Sequence, residues 1–197
     1  SQVPEEPREV VRSLTEQKLE VSMPLFYIGY KEEVPSVDDE LKHQIYSEML
    51  QSILIGRSSD LYRVLYEEEL INSSMRNEVF CGRGFFINMF TGESRKPQQV
   101  KERLEEKIAF FKQQGIPQED FERVKKAAYG FAIMSFNDVE SVASNLVSSY
   151  FSGHPVYEAM DVIAQTTLED LNQFLKNSFC PEYSALSIIH PIDDPAE

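Results

Sequence analysis

Tryptophan is absent from the 197 residues, cysteine occurs twice and histidine three times. Each shortage closes a class of function. The two cysteines, Cys81 and Cys180, stand far apart with no CxxC, which leaves neither a disulfide framework nor a cysteine-rich zinc site. Both read as free, buried thiols in a reducing compartment, the cytoplasm. The histidines, His43, His154 and His190, fall in no HExxH or HxxEH spacing, so no helix face offers two imidazoles to a metal. Positive charge is short as well: 19 Lys and Arg face 33 Asp and Glu, a net charge of −14. Such a surface repels phosphate backbones and anionic bilayers, so neither nucleic acid nor membrane is an expected partner. Its main effect is solubility. No apolar run is long enough to cross a bilayer, and no secretory apolar segment opens the chain.

What is present is core material: 42% hydrophobic residues, with 13 Phe and 9 Tyr. Residues 1–14 read as a linker, starting with the proline- and charge-rich "SQVPEEPREVVR". The chain therefore reads as a piece of a longer protein. Residues 15–192 read as one domain and 193–197 as a tail.

Residues 18–31, "KLEVSMPLFYIGYK", have the composition of a strand, with Pro24 forcing an edge position or a bulge. Leu41, Ile45, Met49 and Ile53 recur every four residues and predict a helix, started by Ser36 or an aspartate just after it and closed by Gly56. A second helix follows, with Leu61, Val64, Leu65 and Ile71 on its buried side. "RNEVFCGRGFFINMFT", residues 76–91, predicts one long interior strand with a bulge at Gly82 and Gly84. Four or five helices follow from Pro97. Their faces are Val100, Leu104, Ile108 and Phe111; then Phe121, Val124, Ala128, Phe131 or Ala132, and Ser135; then an apolar stripe in 138–151. A short helix after Pro155 comes next. The last helix carries Leu168, Leu171, Leu175 and Phe179 behind a capping box of Thr166 and Glu169. "YSALSIIH" predicts a closing strand. The fold class is α+β: two layers, a mixed or antiparallel sheet covered on one face by helices.

Catalytic motifs fail on spacing. "GRSSDLYR" has the glycine and serines of a phosphate loop but one glycine and no lysine. As a nucleophile elbow it lacks the second glycine of GxSxG. "CGRGFF" has GxG without the third glycine. Glu40 and His43 form an i, i+3 pair, but a di-metal bundle needs two such motifs. His154 and His190 read as structural. Among 33 carboxylates no acid–base pair can be singled out; Glu67 to Glu69 read as a solvated helix face. The sequon at Asn72 has no secretory context. No catalytic or metal-binding residue is assigned.

The stretch "GRSSDLYRVLYEEEL" is similar to a segment of the pitrilysin/insulinase family of zinc metallopeptidases, G-x-S-S-x-L-F/Y-x-x-L/I/V-R-D/E-x-x-x-L. The matches are Gly56, Ser58, Ser59, Leu61, Tyr62, Leu65, Glu67 and Leu70. "MPLFYIGYK" resembles the strand opening that family's second half. "GIPQEDFERVKKAAYGFAIMSF" resembles its long helix, and "SGHPVYEAMDVIAQTTLEDLNQFLKNSF" and "YSALSIIHP" its closing elements. The resemblance spans about residues 15–192, and its nearest look is to the bacterial cytosolic branch.

The resemblance implies a half-domain like that of mitochondrial processing peptidase, without zinc of its own. The HxxEH zinc motif would lie in an N-terminal half of the same protein or in a homologous subunit. The two halves would close like a clamshell on a peptide substrate. Active relatives grip substrate with an arginine, which would fall at Leu65 or Tyr66, and a tyrosine, which would fall near Asn72 or Ser73. Both are missing, so a pseudoenzyme parent fits too. The alternative is a non-enzymatic binding or scaffold domain, holding a partner along a sheet edge around Pro24.

Overall fold

Successive side chains of a strand point to opposite faces, so a sheet with one wet face shows apolar residues at every second position. The computed structural model describes residues 7–137 and 157–192. These form β1 (Leu14–Leu19), β2 (Leu25–Lys31), α1 (Glu40–Ile55), α2 (Asp60–Glu67), β3 (Arg76–Gly82), β4 (Phe85–Glu93), α3 (Pro97–Gln114), α4 (Gln118–Asn137), α5 (Glu158–Gln165), α6 (Leu168–Asn177) and β5 (Ser184–Pro191). The strand order is β1-β5-β2-β4-β3. β1 runs parallel to β5, and every other neighbouring pair is antiparallel.

Phe26, Ile28 and Tyr30 of β2, Phe90 of β4, and Leu186 and Ile188 of β5 enter one core with the helices. Their alternate neighbours stay half-buried or exposed. This is the expected α+β arrangement, a mixed sheet with helices on one face. The predicted faces of α1, α3 and α6 are the buried ones: Ile45, Met49 and Ile53; Val100, Leu104, Ile108 and Phe111; Leu171 and Leu175. On α4, Ala132 packs on the core while Phe131 is 77% exposed. The helix expected at 138–151 lies outside the described residues.

Four expectations fail for physical reasons. The strand predicted over 18–31 is two strands, with Val21 N donating back to Leu19 O at 2.9 Å between them. Pro24 marks no edge: it precedes β2, the middle strand, where no ladder N–H is demanded of it, and its carbonyl accepts from Ser94 N at 3.0 Å. The strand predicted over 76–91 is a hairpin, closed by Arg83 and a left-handed Gly84 at φ 89°. The capping box moves one residue along. Thr166 is buried and its hydroxyl closes α5 by donating to Val162 O, so Thr167 and Asp170 form the reciprocal pair at the start of α6.

Gly56 does close α1, but in extended rather than left-handed geometry (φ −64°, ψ 158°). Glycine is needed there because a Cβ would lie 2.5 Å from the Ser52 carbonyl oxygen. Gly29, on the open sheet face, has no such restriction: its Cβ would meet Ile87 Cγ2 at 3.7 Å. Gly56→Ala should therefore cost about 1–3 kcal/mol. Gly29→Ala should be neutral or stabilising by about 0.5 kcal/mol. Urea midpoints of the two variants measure the contrast, and equal midpoints would refute the close-approach role of Gly56.

Candidate functional site

The glycine–serine turn that suggested chemistry is consumed by structure. Ser59 is the N-cap of α2: its Oγ accepts from Tyr62 N at 3.1 Å, which satisfies one of the free amides of the first turn. Ser58 Oγ accepts from the Arg123 guanidinium on α4. Neither serine is bonded to a histidine. Behind the cap, Leu61 and Leu65 are buried, Leu65 completely. Each such side chain contributes about 1.5–3 kcal/mol of burial free energy.

The positions where a substrate-gripping arginine and tyrosine were missed have other duties. Leu65 is core; Tyr66 is half-exposed and stacks on Tyr62, ring centroids 6.0 Å apart. Asn72 donates to Glu93 Oε2 at 2.7 Å, and its own Oδ1 accepts from Ser74 N at 2.8 Å. Of the expected acidic face, Glu68 pairs with Arg103 of α3 at 2.9 Å.

Among the described residues, no three His, Cys, Asp or Glu side chains gather as a metal site. His43 donates to Asp39 O at 3.1 Å and meets Phe174 edge-on at 5.1 Å, which makes it a packing residue. His190 stands 3.6 Å from Glu16 across β5 and β1. His154 lies outside the described residues. Cys81 and Cys180 are free but half-buried, more open than the sequence reading had them.

One buried acid was not foreseen. Glu32 follows β2 and is 9% exposed. Its Oε1 accepts from Phe179 N at 2.8 Å and from Asn88 Nδ2 at 3.0 Å. Its Oε2 accepts from Arg8 Nη2 at 3.3 Å. Asn88 Oδ1 in turn accepts from Gln51 Nε2, at 2.8 Å. Burial nevertheless dominates and holds the Glu32 carboxyl above its ordinary range, with the bonds from Phe179 and Asn88 and the Arg8 charge opposing it. Protein donors meet both oxygens, so the acid serves structure and not catalysis. No motif marks such a residue; "KEEV" shows only two surface-like glutamates.

That leaves the open face of the sheet. In strand register it carries Leu25 and Tyr27 of β2, Phe85, Ile87 and Met89 of β4, and Phe80 of β3. Tyr27, Phe80 and Phe85 are exposed large hydrophobics. Across the middle, Gly29 lies between Ala185 and Met89, and small side chains keep the surface low there. By the same register Lys31, Arg76, Glu78 and Glu93 share this face, so its exposed aromatic residues are interleaved with charges. Exposed aromatic side chains grouped on one face suit contact with a partner.

A family model described as "Peptidase M16 inactive domain" matches residues 1–128. The chain is 25% identical over 175 residues to the uncharacterized zinc protease YmfH of Bacillus subtilis strain 168, covering 88% of this chain and 41% of that protein. Its fold matches a chain from Alicyclobacillus acidocaldarius described as an M16-like peptidase, with TM-score 0.89 and 24% identity, over 95% of this chain and 45% of that one. It also matches the inactive peptidase domain of a Bordetella parapertussis protein named as a zinc protease, with TM-score 0.71 and 16% identity, over 92% of this chain and 97% of that one. The chain thus spans less than half the length of the first two relatives.

The raised carboxyl of Glu32 sets a pH dependence. Between the ordinary value of 4.5 and its raised one, the folded chain holds a proton that the unfolded chain has released. Stability should therefore fall as pH rises through that window. Glu32→Gln removes the titration and should flatten the slope. Urea midpoints across roughly pH 4 to 8 read the effect; an identical slope in the variant would refute it.

Proposed function

The chain belongs to the M16 peptidase family as its inactive, C-terminal domain, and from that premise we propose that it forms one wall of a two-part peptide chamber. The zinc and the water it activates would belong to the other half, an N-terminal part of the same protein or a homologous subunit. The observation that supports this reading is the group of exposed aromatic residues, Tyr27, Phe80 and Phe85, on the sheet face opposite the helical core. A wall that touches an extended peptide needs contact surface and no reactive group. The half-length coverage of the relatives supports a missing companion. The cytoplasm of a bacterium is the proposed location, on the two unpaired cysteines and the bacterial relatives.

A pure scaffold reading loses its proposed docking edge, since the strand after Pro24 is the middle of the sheet.

The chain alone should bind no stoichiometric zinc and cleave no peptide. Zinc content by elemental analysis and hydrolysis of a quenched fluorescent peptide library test both. One zinc per chain, with hydrolysis abolished by chelation, would overturn the assignment. Adding a companion half that bears HxxEH should restore or raise cleavage. Tyr27→Glu, placed on the open face, should reduce that gain at least about tenfold, as expected when a charge is set into an apolar contact.

A further inference from the structure

A carboxylate site is built at the corner where α1 ends, α2 starts and β3 begins. Four of the nine described arginines pair with carboxylates: Arg8 with Glu32, Arg63 with Glu67, Arg103 with Glu68, Arg123 with Asp120. Arg57 and Arg76 do not. Arg57 Nη2 donates to Ser73 O at 3.3 Å. Arg76 Nη1 donates to the same oxygen at 2.8 Å and to Met75 O at 2.9 Å. Two guanidinium groups are thus drawn to one carbonyl, with no described carboxylate in ion-pair distance of either. Like charges held side by side repel, and an anion between them would relieve the repulsion.

The space for that anion exists. A cleft of about 440 Å³ is lined by Arg57, Arg76, Tyr62, Asn77, Ser52 and Met75. Tyr62 gives it an aromatic wall, its ring backed by Tyr66 at an interplanar angle of 14°. Asn77 Nδ2 is held by Gln51 Oε1 at 3.2 Å, which leaves its own carbonyl oxygen to accept from a ligand N–H. Two forked donors, one acceptor and an aromatic wall match the end of a peptide, or an acidic residue within one, better than free phosphate.

We propose that Arg57 and Arg76 bind a carboxylate of a peptide. The assignment rests on the chamber reading above and names the chemistry of one residue of its substrate. The chain's net charge favours basic peptides at long range; this corner reverses the preference locally. Both arginines are exposed, so the binding is salt-sensitive.

The test uses the full 197-residue chain and N-terminally labelled peptides without other charges, read by fluorescence anisotropy. One peptide ends in a free carboxylate, one in an amide, and one in an amide with an internal glutamate. At least one acid-bearing peptide should bind about tenfold or more tighter than the plain amide. Arg57→Ala with Arg76→Ala should abolish that difference, with the far-UV circular dichroism unchanged. Arg57→Lys with Arg76→Lys should restore part of it. The tighter of the two acid peptides identifies a chain terminus or a side chain as the source. Equal binding of acid and amide, or a difference that survives the alanine variant, would overturn the site while leaving the chamber reading intact. Displacement by inorganic phosphate at lower concentration than by the acid peptide would overturn the peptide assignment. No binding of any peptide would overturn both readings.

Discussion

A carboxylate leaves water only where donors converge on it, and Glu32 is the point where that requirement ties this fold together. Its donors come from three places, and a fourth element reaches it indirectly. Asn88 is on the neighbouring strand β4, Phe179 follows α6, and Arg8 comes from the N-terminal segment. Gln51 of α1 reaches it through Asn88 and also holds Glu78 O and Asn77 on β3. Phe179 takes the left-handed backbone at φ 52° to present its N–H, a conformation that non-glycine residues adopt at a cost. Arg8 is further fixed over the Tyr183 ring, 4.1 Å from its centroid, and donates to Asn177 O. The N-terminal segment, β4, the segment after α6 and, through Asn88, α1 thus converge on one acid. Removing a single partner would leave a buried charge or amide unpaired, which costs more than the bond contributes.

The second constraint is that the sheet has helices on one side only. Phe26, Ile28, Tyr30, Phe90 and Ile188 are fully buried on the helical side, and beside the Glu32 chain the buried polar groups are mostly small hydroxyls such as Ser47 and Ser184. The other face keeps aromatic and aliphatic residues that a free-standing domain has no reason to expose together. Function follows from that asymmetry. The helical side is occupied with stability, so interaction is left to the open face and to the rim where α1, α2 and β3 meet. Both surfaces belong to a chain that matches the inactive domain of the M16 peptidases.

The stretch "GRSSDLYRVLYEEELINSS", residues 56–74, shows how one segment serves several levels. Ser59 caps, Leu61 and Leu65 pack, Gly56 allows the backbone of α1 to come close, and Arg57 turns outward. Its likeness to a phosphate loop was a likeness of composition. Of the positions where the resemblance would put gripping side chains, Leu65 or Tyr66 and Asn72 or Ser73, Leu65 is buried and Asn72 is hydrogen-bonded, while a different cation, Arg57, stands beside Arg76 at the same corner.

The amino-acid sequence by itself determined what depends on neighbours three or four residues away. The buried faces of α1, α3 and α6 were legible because a helix returns to the same side every 3.6 residues. The fold class followed from the order of such segments, and the family likeness from the particular residues of "GRSSDLYRVLYEEEL" and its neighbouring segments. It could not determine pairing between distant segments. The hairpin hidden in 76–91, the central place of β2 and the parallel join of β1 to β5 arise from contacts far apart in the chain, and period-two patterns look alike at an edge or in the middle. The choice of Thr167 over Thr166 was local, because α5 had already taken the first hydroxyl through Val162 O, but adjacent threonines offer the same cap in the sequence. The donors to Glu32, 147 residues away in the case of Phe179, and the meeting of Arg57 with Arg76 exist only once the layers are packed. A charge carries no periodic signature, and its partners are assigned by the folded geometry alone.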